Sequence, residues 1–273
     1  MADVFITDIE QTSKIDDSFE FVGDNGAKTY SIPASVLKKY TNKGLVNPNL
    51  IDNWHFVSPV NQRGLTEYSG LGYGIDRWKS TLNPSKYALG EKGIIVFSGN
   101  FRHLQILENA TDLVGRKLTV SFLISENTAT ANFAVGQYVD GTQGATILTV
   151  SNKATGCVSG TFTASEGFEG IYLYNTSAFD GTAVITAVKL ELGDIQTLAH
   201  QDTEGNWVLN EIPNYAEELA KCQRYFQIFR TETERKTYCE DFRPTMRVTD
   251  NGEVAKSTLT IDGVTYYAAT ADL

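Results

Sequence analysis

The stretch from Gly93 to Leu192 alternates apolar and polar side chains with a period of two, which is the pattern of half-buried β-strands. Leu118, Val120, Phe122 and Ile124 fall on one face of such a strand, and Lys117, Thr119 and Ser121 on the other. Further strands are predicted at Gly93–Phe97, Phe101–Leu107, Asn132–Val139, Ala145–Val150, Gly156–Ala164, Gly170–Tyr174 and Ala183–Leu192. Turn residues such as Asp140-Gly141 separate them, and no helical pattern intervenes. We therefore expect a mainly β fold, an antiparallel jelly-roll-like sandwich over residues 47–198.

The segment 1–46 differs from this pattern. Its first 24 residues hold seven acidic side chains against Lys14 alone, a local net charge of −6. Such a block is either a solvated leader or a surface that docks on a basic partner. Extended runs flank an Asn25-Gly26 turn and predict a small hairpin, and Pro33 precedes a short predicted helix at 34–40.

The segment 199–273 is expected to contain a helix and a β-structured end. Tyr215, Leu219, Cys222, Phe226 and Phe229 are spaced 4, 3, 4 and 3 residues apart after Pro213, which predicts one apolar stripe on a helix. That helix either packs on its own sandwich or lies at a symmetric oligomer interface. Strands are predicted at Arg243–Val248, Leu259–Ile261 and Val264–Tyr267, with Asp262-Gly263 as a hairpin turn.

Composition excludes several classes of protein. The 273 residues carry 23 Lys and Arg against 33 Asp and Glu, a net charge of −10 that repels nucleic acid. No apolar run is long enough to span a membrane, and the first residues lack the pattern of a secretory signal. We expect a chain made in the cytoplasm, without membrane insertion.

The sequence motifs indicate no metal site, no cofactor site and no catalytic site. Three cysteines and three histidines are scattered without CxxC or HExxH spacing, so reduced thiols and no metal are expected. The chain has no GxSxG, phosphate-loop or dinucleotide-binding pattern, and we expect no cofactor and no enzymatic activity. A close pair of carboxylates, as in a glycosidase, cannot be recognised from sequence among so many acids.

Two tyrosines are the candidate ligand-binding residues. Tyr172 and Tyr174 alternate with Ile171 and Leu173, so an inward-facing aliphatic pair leaves the two rings side by side on the outer face of a sheet. An aromatic ring there can lie against the apolar face of a sugar. The alternative is that both rings pack under a loop or a neighbouring subunit. Tyr138 with Asp140, at a strand end, is a second candidate.

Two stretches of the chain resemble a known family of proteins. The first comprises Asn47-Pro48-Asn49-Leu50-Ile51-Asp52-Asn53-Trp54, Asn61-Gln62-Arg63-Gly64 and Tyr73-Gly74-Ile75-Asp76-Arg77-Trp78; the second comprises Lys189-Leu190-Glu191-Leu192-Gly193 and the run from Tyr215 to Phe226. Both are similar to the signatures of fibre and appendage proteins of tailed bacteriophages and prophages, especially those of gut Gram-positive bacteria. Asp76, Arg77 and Trp78 are expected to be structural, with Arg77 on a carboxylate and Trp78 in the core.

The resemblance implies a virion protein, assembled in the cytoplasm of a host bacterium. It implies a homotrimeric tail fibre or spike whose segment 1–46 attaches to another virion protein and whose sandwich binds a host-surface glycan. One alternative is a head or neck fibre with a mainly structural role, and a second is a tail polysaccharide depolymerase.

Overall fold

The chain forms two compact units in a computed structural model, residues 1–45 and residues 46–273. The structure describes residues 20–24, 29–33, 46–83, 85–96, 100–175, 177–178, 180–238, 246 and 254–271. In the first unit, β1 (Glu20–Asp24) pairs antiparallel with β2 (Thr29–Pro33), and Glu20 lies opposite Pro33. The predicted N-terminal hairpin is confirmed, whereas its Asn25-Gly26 turn and the predicted helix at 34–40 lie outside the described residues.

The second unit contains a sandwich of two six-stranded sheets. Its strands are β3 (Glu67–Ser69), β4 (Gly72–Tyr73), β5 (Lys79–Ser80), β6 (Lys86–Gly90), β7 (Gly93–Val96), β8 (Arg102–Ile106), β9 (Lys117–Asn127), β10 (Phe133–Val139), β11 (Thr142–Val150), β12 (Gly156–Thr163), β13 (Phe168–Asn175) and β14 (Ala183–Leu192). Sheet one has the order β12-β9-β14-β7-β6-β3, and sheet two has the order β11-β10-β13-β8-β5-β4. The pairings between these strands are antiparallel, and the fold is the predicted jelly-roll-like β-sandwich.

The core lies between the two sheets, on the faces that alternation predicts. On β9 the inward-facing side chains of Leu118, Val120, Phe122 and Ile124 are each at most 1% exposed. On β10 and β13 the inward-facing side chains are Phe133, Val135, Ile171 and Leu173, which are also buried. Because neighbouring residues of a strand point to opposite faces, the residues between them are directed to the outside of the sandwich.

The segment before β3 extends sheet one and positions the first signature. Leu50 N–H donates to the carbonyl of Leu190 and Phe56 N–H to that of Thr186, while Trp54 accepts from Val188 N–H, at 2.8 to 3.0 Å. The segment therefore runs along β14 beyond the end of β7. A 3₁₀ helix (Ala110–Leu113) joins β8 to β9.

In its described residues, the C-terminal part of this unit has two hairpins and two helices. Its elements are β15 (Ala199–Gln201), β16 (Trp207–Leu209), α1 (Tyr215–Gln223), β17 (Phe226–Phe229), α2 (Glu232–Tyr238), β18 (Ala255–Ile261) and β19 (Val264–Thr270). Strands β17, β19 and β18 form a three-stranded antiparallel sheet. The predicted Asp262-Gly263 turn joins β18 to β19, and both residues have positive φ, 49° and 77°, as a type I′ turn requires. Of the predicted strand Arg243–Val248, only Met246 lies among the described residues.

The single long helix predicted from the apolar spacing is wrong in its second half. Helix α1 ends at Gln223, and Phe226 and Phe229 lie on β17, opposite Thr270 and Tyr267 of β19. Tyr215, the first residue of the predicted stripe, is 53% exposed. Strand β19, about forty residues further along the chain, forms hydrogen bonds with the backbone groups of Phe226–Phe229. This tertiary pairing overrides the helical spacing.

Among the described residues, no helix is both long and apolar enough to cross a membrane.

His103 makes the stability of the sandwich depend on pH. Its ring is buried against Tyr87 and Phe101, its Nε2 has no hydrogen-bond partner, and burial lowers its pKa from 6.5 to about 4. Between about pH 6.5 and pH 4 the unfolded chain therefore binds a proton that the folded chain does not. We expect the free energy of unfolding to fall by about 2 kcal/mol through this group between pH 6.5 and 5.

Urea unfolding at pH 7, 6 and 5 measures this effect. The His103→Gln variant should lose most of the pH dependence; the lowered pKa of His55 acts in the same direction and leaves a smaller slope. An unchanged slope in the variant would show that His103 does not govern the pH dependence.

Candidate functional site

The outer face of sheet two carries the predicted tyrosine pair. Register places Tyr172 opposite Gly136 and Leu104, and Tyr174 opposite Ala134 and Arg102. Residues opposite each other in a sheet point to the same side, and Ile171 and Leu173 point into the core. The two ring centroids are 4.9 Å apart. We call this surface, formed by Lys79, Arg102, Thr146, Tyr172 and Tyr174, the tyrosine face.

The two rings differ in accessibility. Tyr172 is only 1% exposed, because its ring extends over Gly136, where a Cβ atom would lie 2.3 Å from the phenol oxygen. Its hydroxyl donates to the carbonyl of Gly144 at 3.1 Å, and burial together with the neighbouring Tyr174 raises its pKa to about 12. Tyr174 is half-buried and shares a hydrogen bond of 2.6 Å with the hydroxyl of Thr146. Tyr174 is therefore the accessible ring, and Tyr172 supports it from below.

Two cations lie beside the tyrosines. Lys79 is opposite Leu104 on the neighbouring strand. Two residues further along the chain, Thr81 lies beside Arg102, and its backbone N–H donates to the carbonyl of Arg102 at 3.1 Å. Lys79 and Arg102 are half-buried, and neither forms an ion pair within the described residues. Arg102 Nε and Thr81 Oγ1 are buried without hydrogen-bond partners. This part of a chain with net charge −10 is thus locally positive.

Tyr138 and Asp140 lie at one end of the same sheet. Tyr138 is opposite Gly170, which puts it on the outer face, and its hydroxyl donates to the carbonyl of Gly141 at 2.7 Å. Asp140 has a φ of 48° and occupies the hairpin turn between β10 and β11, with its carboxylate against Gly167. The structure therefore gives both residues a local role in the turn, and their ligand-binding role stays a prediction.

Lys79 and Arg102 were not found from the sequence. Alternation along Phe101–Leu107 indicates that Arg102 and Leu104 share a face, but it does not show which strand lies beside them. The pairing of β8 with β13 joins residues about seventy positions apart, and that pairing brings Arg102 next to Tyr174. A face formed by strands distant in sequence has no local pattern.

The two signatures meet in a group of buried and half-buried residues that we call the signature cluster: Asp52, Asn53, Gln62, Arg63, Asp76, Arg77, Glu218, Tyr225 and Phe226. Asp76, which is 0% exposed, accepts the backbone N–H of Gln62 at 2.7 Å and pairs with Arg63 at 3.1 Å. The guanidinium of Arg63 also lies over the ring of Phe226, 3.8 Å from its centroid. The side chain of Gln62 donates to the carbonyl of Phe226 at 2.7 Å.

Arg77 connects the sandwich to the C-terminal part. Its Nε pairs with Asp52 at 3.1 Å, one terminal nitrogen donates to the carbonyl of Ile106 at 2.6 Å, and the guanidinium lies 3.5 Å above the ring of Tyr225. Trp78 is 3% exposed, and its indole N–H donates to the carbonyl of Asn53. The predicted arrangement, Arg77 on a carboxylate and Trp78 in the core, is confirmed.

A third link runs from Asn53 to α1. The carboxylate of Glu218 accepts the backbone N–H of Asn53 at 2.7 Å and binds Lys221 at 2.6 Å. Asn53 has a φ of 52°, and its side chain holds Val60 and Asp76 through their backbone groups. The polar groups of the signature cluster bind one another and groups of neighbouring segments, which is typical of a structural joint, a contact that holds two parts of a fold together.

The described thiols are not poised for chemistry. Burial raises the pKa of Cys157 to about 12 and raises that of Cys222 further, so both are protonated at neutral pH. Within the described ranges, no group of three or more His, Cys, Asp and Glu side chains is placed to hold a metal ion.

Comparison with known proteins gives structural likeness only. No family model matches the chain, and no curated protein matches its sequence. Among solved structures, a module titled BiXyn10A CBM1 is similar at 14% identity over 46% of this chain and 95% of that one, with a TM-score of 0.33. A family 29 carbohydrate-binding module from Piromyces equi is similar at 10% identity over 46% of this chain and 92% of that one, with a TM-score of 0.31.

The enzymatically active domain of bacteriophage CBA120 tailspike protein 4 is similar at 14% identity, with a TM-score of 0.32. The likeness covers 53% of this chain and 21% of the tailspike chain. At these identities and scores, the likenesses do not define a ligand for this chain.

Proposed function

We propose that this chain is the glycan-binding β-sandwich of a tailed-phage or prophage appendage, and that the tyrosine face binds a host-surface glycan. The observation that carries the proposal is one sheet face on which the half-buried ring of Tyr174 lies beside Arg102, with Lys79 on the next strand. Neither cation has a carboxylate partner among the described residues. A phenol ring packs against the apolar face of a pyranose, and adjacent polar groups select its orientation.

The charge of the tyrosine face favours an acidic glycan. Lys79 and Arg102 flank Leu104 and leave a positive strip on one side of the two tyrosines. A guanidinium can bind the two oxygens of a carboxylate or phosphate with two parallel, charge-assisted hydrogen bonds, which a single neutral hydroxyl cannot match. We infer that the bound units carry carboxylate or phosphate groups, and that binding weakens as salt concentration rises.

The appendage role rests on the two signatures. Their side chains form a buried joint between the sandwich and the C-terminal part, so the similarity to phage appendage proteins extends over residues that act together in the fold. In the proposed assembly, a homotrimer presents three copies of the tyrosine face, and the acidic segment 1–46 binds another virion protein. Three weak contacts on one particle raise the avidity by orders of magnitude.

Replacing Tyr174 tests the tyrosine face. We expect Tyr174→Ala to weaken retention about tenfold in affinity electrophoresis through gels that contain purified acidic wall polysaccharides of gut Gram-positive bacteria. Tyr174→Phe keeps the ring and should change retention less than about threefold. Tyr215→Ala, which removes an exposed tyrosine on α1, is the matched control and should retain binding. Equal retention of the Tyr174→Ala protein and the control would refute the tyrosine face as the site.

Adsorption competition tests the appendage role. Candidate host cells are preincubated with the purified protein, and adsorption of cognate phage is then counted. We expect dose-dependent blocking by the native chain and about tenfold less by Tyr174→Ala. A folded protein that binds no cells and blocks no adsorption would favour a head or neck fibre with a structural role.

A further inference from the structure

A second candidate site lies against the outer face of sheet one, on the opposite side of the sandwich from the tyrosine face. The segment from Gly193 to Glu211 covers part of that face, where Lys189 pairs with Glu211 at 2.9 Å and Glu191 accepts the backbone N–H of Thr197 at 2.7 Å. Lys189 and Glu191 are both 0% exposed. The covering segment leaves part of β9 and β14 open. A cavity lies there, against Leu123 and Ser125 of β9 and Thr186 of β14.

This cavity has a volume of about 770 Å³, within the range of pockets that bind small ligands. Its apolar lining comes from Trp207, Leu123, Val57 and Ile124. Its polar groups come from Glu91, Lys92, Ser125, Thr155, Thr186 and Asn206. We call it the tryptophan cavity. Trp54 and Trp78 are each 3% exposed, whereas Trp207 is 37% exposed. One tryptophan of the three is therefore available to a ligand.

The indole of Trp207 is held in position from two sides. It is the first residue of β16, opposite Gln201 on β15, and the turn between them is closed by Asp202, whose carboxylate accepts the backbone N–H groups of Glu204 and Asn206 at 2.9 and 2.8 Å. On the other side lies Gly156, with a φ of 90°; a Cβ atom there would be 2.4 Å from the indole nitrogen. A side chain at position 156 would displace the ring, so glycine permits this wall.

The charges around the tryptophan cavity are mainly negative. Among the described residues, Lys92 is the one cation that lines it, and its ammonium group is already 2.6 Å from the carboxylate of Glu126. Glu91 lines the cavity without an ion-pair partner among the described residues, and the turn that carries Asn206 adds Asp202 and Glu204. This balance repels carboxylate and phosphate groups, in contrast to the tyrosine face.

We propose that the tryptophan cavity binds a neutral pyranose unit, stacked on Trp207 and hydrogen-bonded by the hydroxyl, amide and carboxylate groups of the rim. The indole supplies the large apolar surface that packs against sugar C–H groups, and Glu91 supplies an acceptor for sugar hydroxyls. The site is separate from the tyrosine face, since the two lie on opposite sheets. The chain then contacts a glycan surface at two points with different charge preference.

Tryptophan fluorescence reports this site selectively, because Trp54 and Trp78 are in the core. The probes are methyl α-D-glucopyranoside, methyl β-D-galactopyranoside and N-acetylglucosamine, with sodium glucuronate as the charged comparison. At least one neutral sugar should change the emission with a Kd on the order of 1 mM, and glucuronate should bind at least about tenfold more weakly. No neutral sugar binding at about 50 mM, or equal binding of glucuronate, would overturn the proposal.

Variants test whether the binding signal comes from Trp207. Because they remove the fluorescent indole, binding is measured by saturation-transfer NMR on the sugar. Trp207→Ala should abolish the transfer, and Trp207→Phe should retain it within about fivefold. Tyr174→Ala should leave saturation transfer to the neutral sugar unchanged, and Trp207→Ala should leave retention by acidic polysaccharide unchanged. The two proposed sites are therefore tested independently of each other. Melting curves verify that each variant folds. If emission instead shifts with protein concentration and sugars have no effect, a second copy of the chain occupies the cavity and the proposal is wrong.

Discussion

Asp76→Ala is expected to lower the free energy of unfolding of the second unit by about 3 to 5 kcal/mol. The carboxylate is fully buried, and its loss removes the acceptor of the Gln62 backbone N–H and the carboxylate that lies 3.1 Å from the guanidinium of Arg63. Removing one partner of a buried pair costs more than the pair contributes, because the remaining charge stays desolvated. For a unit of this size the change corresponds to a fall in Tm of roughly 6 to 20 °C, measured by circular dichroism.

Two comparisons make this measurement specific. Asp76→Asn preserves the shape and an oxygen acceptor for Gln62, and should cost about 1 to 3 kcal/mol. Asp194→Ala removes an exposed carboxylate that pairs with Lys117 at 3.5 Å, and should change stability by less than about 1 kcal/mol. If Asp76→Ala were no more destabilising than Asp194→Ala, the signature cluster would not be a structural joint.

Arg77→Ala is expected to destabilise the C-terminal part more than the sandwich. The substitution removes the cation stacked on Tyr225, the pair with Asp52 and the donor to the carbonyl of Ile106. We expect roughly 3 kcal/mol of lost stabilisation in the contact between sandwich and C-terminal part. Hydrogen exchange of the amides paired between β17 and β19 should then accelerate about a hundredfold.

The pattern of exchange along the chain tests this prediction. Amides paired between β9 and β14, at the centre of sheet one, should accelerate much less than those of β17 and β19. Arg77→Lys keeps the charge but loses the planar group that stacks on Tyr225 and donates at two positions, so it should give an intermediate effect. Uniform acceleration across both sets would mean that Arg77 stabilises the unit as a whole and is not a joint.

Local pattern predicted much of the sandwich because strand alternation and turn chemistry are local properties. The inward faces of β9 and β13 follow from the period of two, and Asp262-Gly263 forms its turn because both residues tolerate positive φ. The same locality explains the error at Phe226 and Phe229. Their spacing fits a helix, but the partner that holds them in a strand is β19, which no local pattern identifies.

In the candidate sites, too, local pattern predicted some features and tertiary contacts decided the others. That Tyr172 and Tyr174 share an outer face was predicted from alternation alone, and the structure places them there. Their different exposure was not predictable, because it depends on Gly136 of the neighbouring strand, over which the ring of Tyr172 lies. Trp207 lines the tryptophan cavity because the β15–β16 hairpin brings it against Gly156, a contact that no local pattern predicts.

The sequence by itself determined the fold class, the strands between Gly93 and Leu192 with their inward faces, the Asp140-Gly141 and Asp262-Gly263 turns, and the structural character of Arg77 and Trp78. Each of these follows from neighbouring residues and from the fixed geometry of an extended chain. Only the tertiary structure decided strand order, and with it the cations beside Tyr174, the joint between Asn53 and Glu218, and the cavity at Trp207. Contacts between residues far apart in the chain depend on which strands pair, and the period of two is the same for every order of strands.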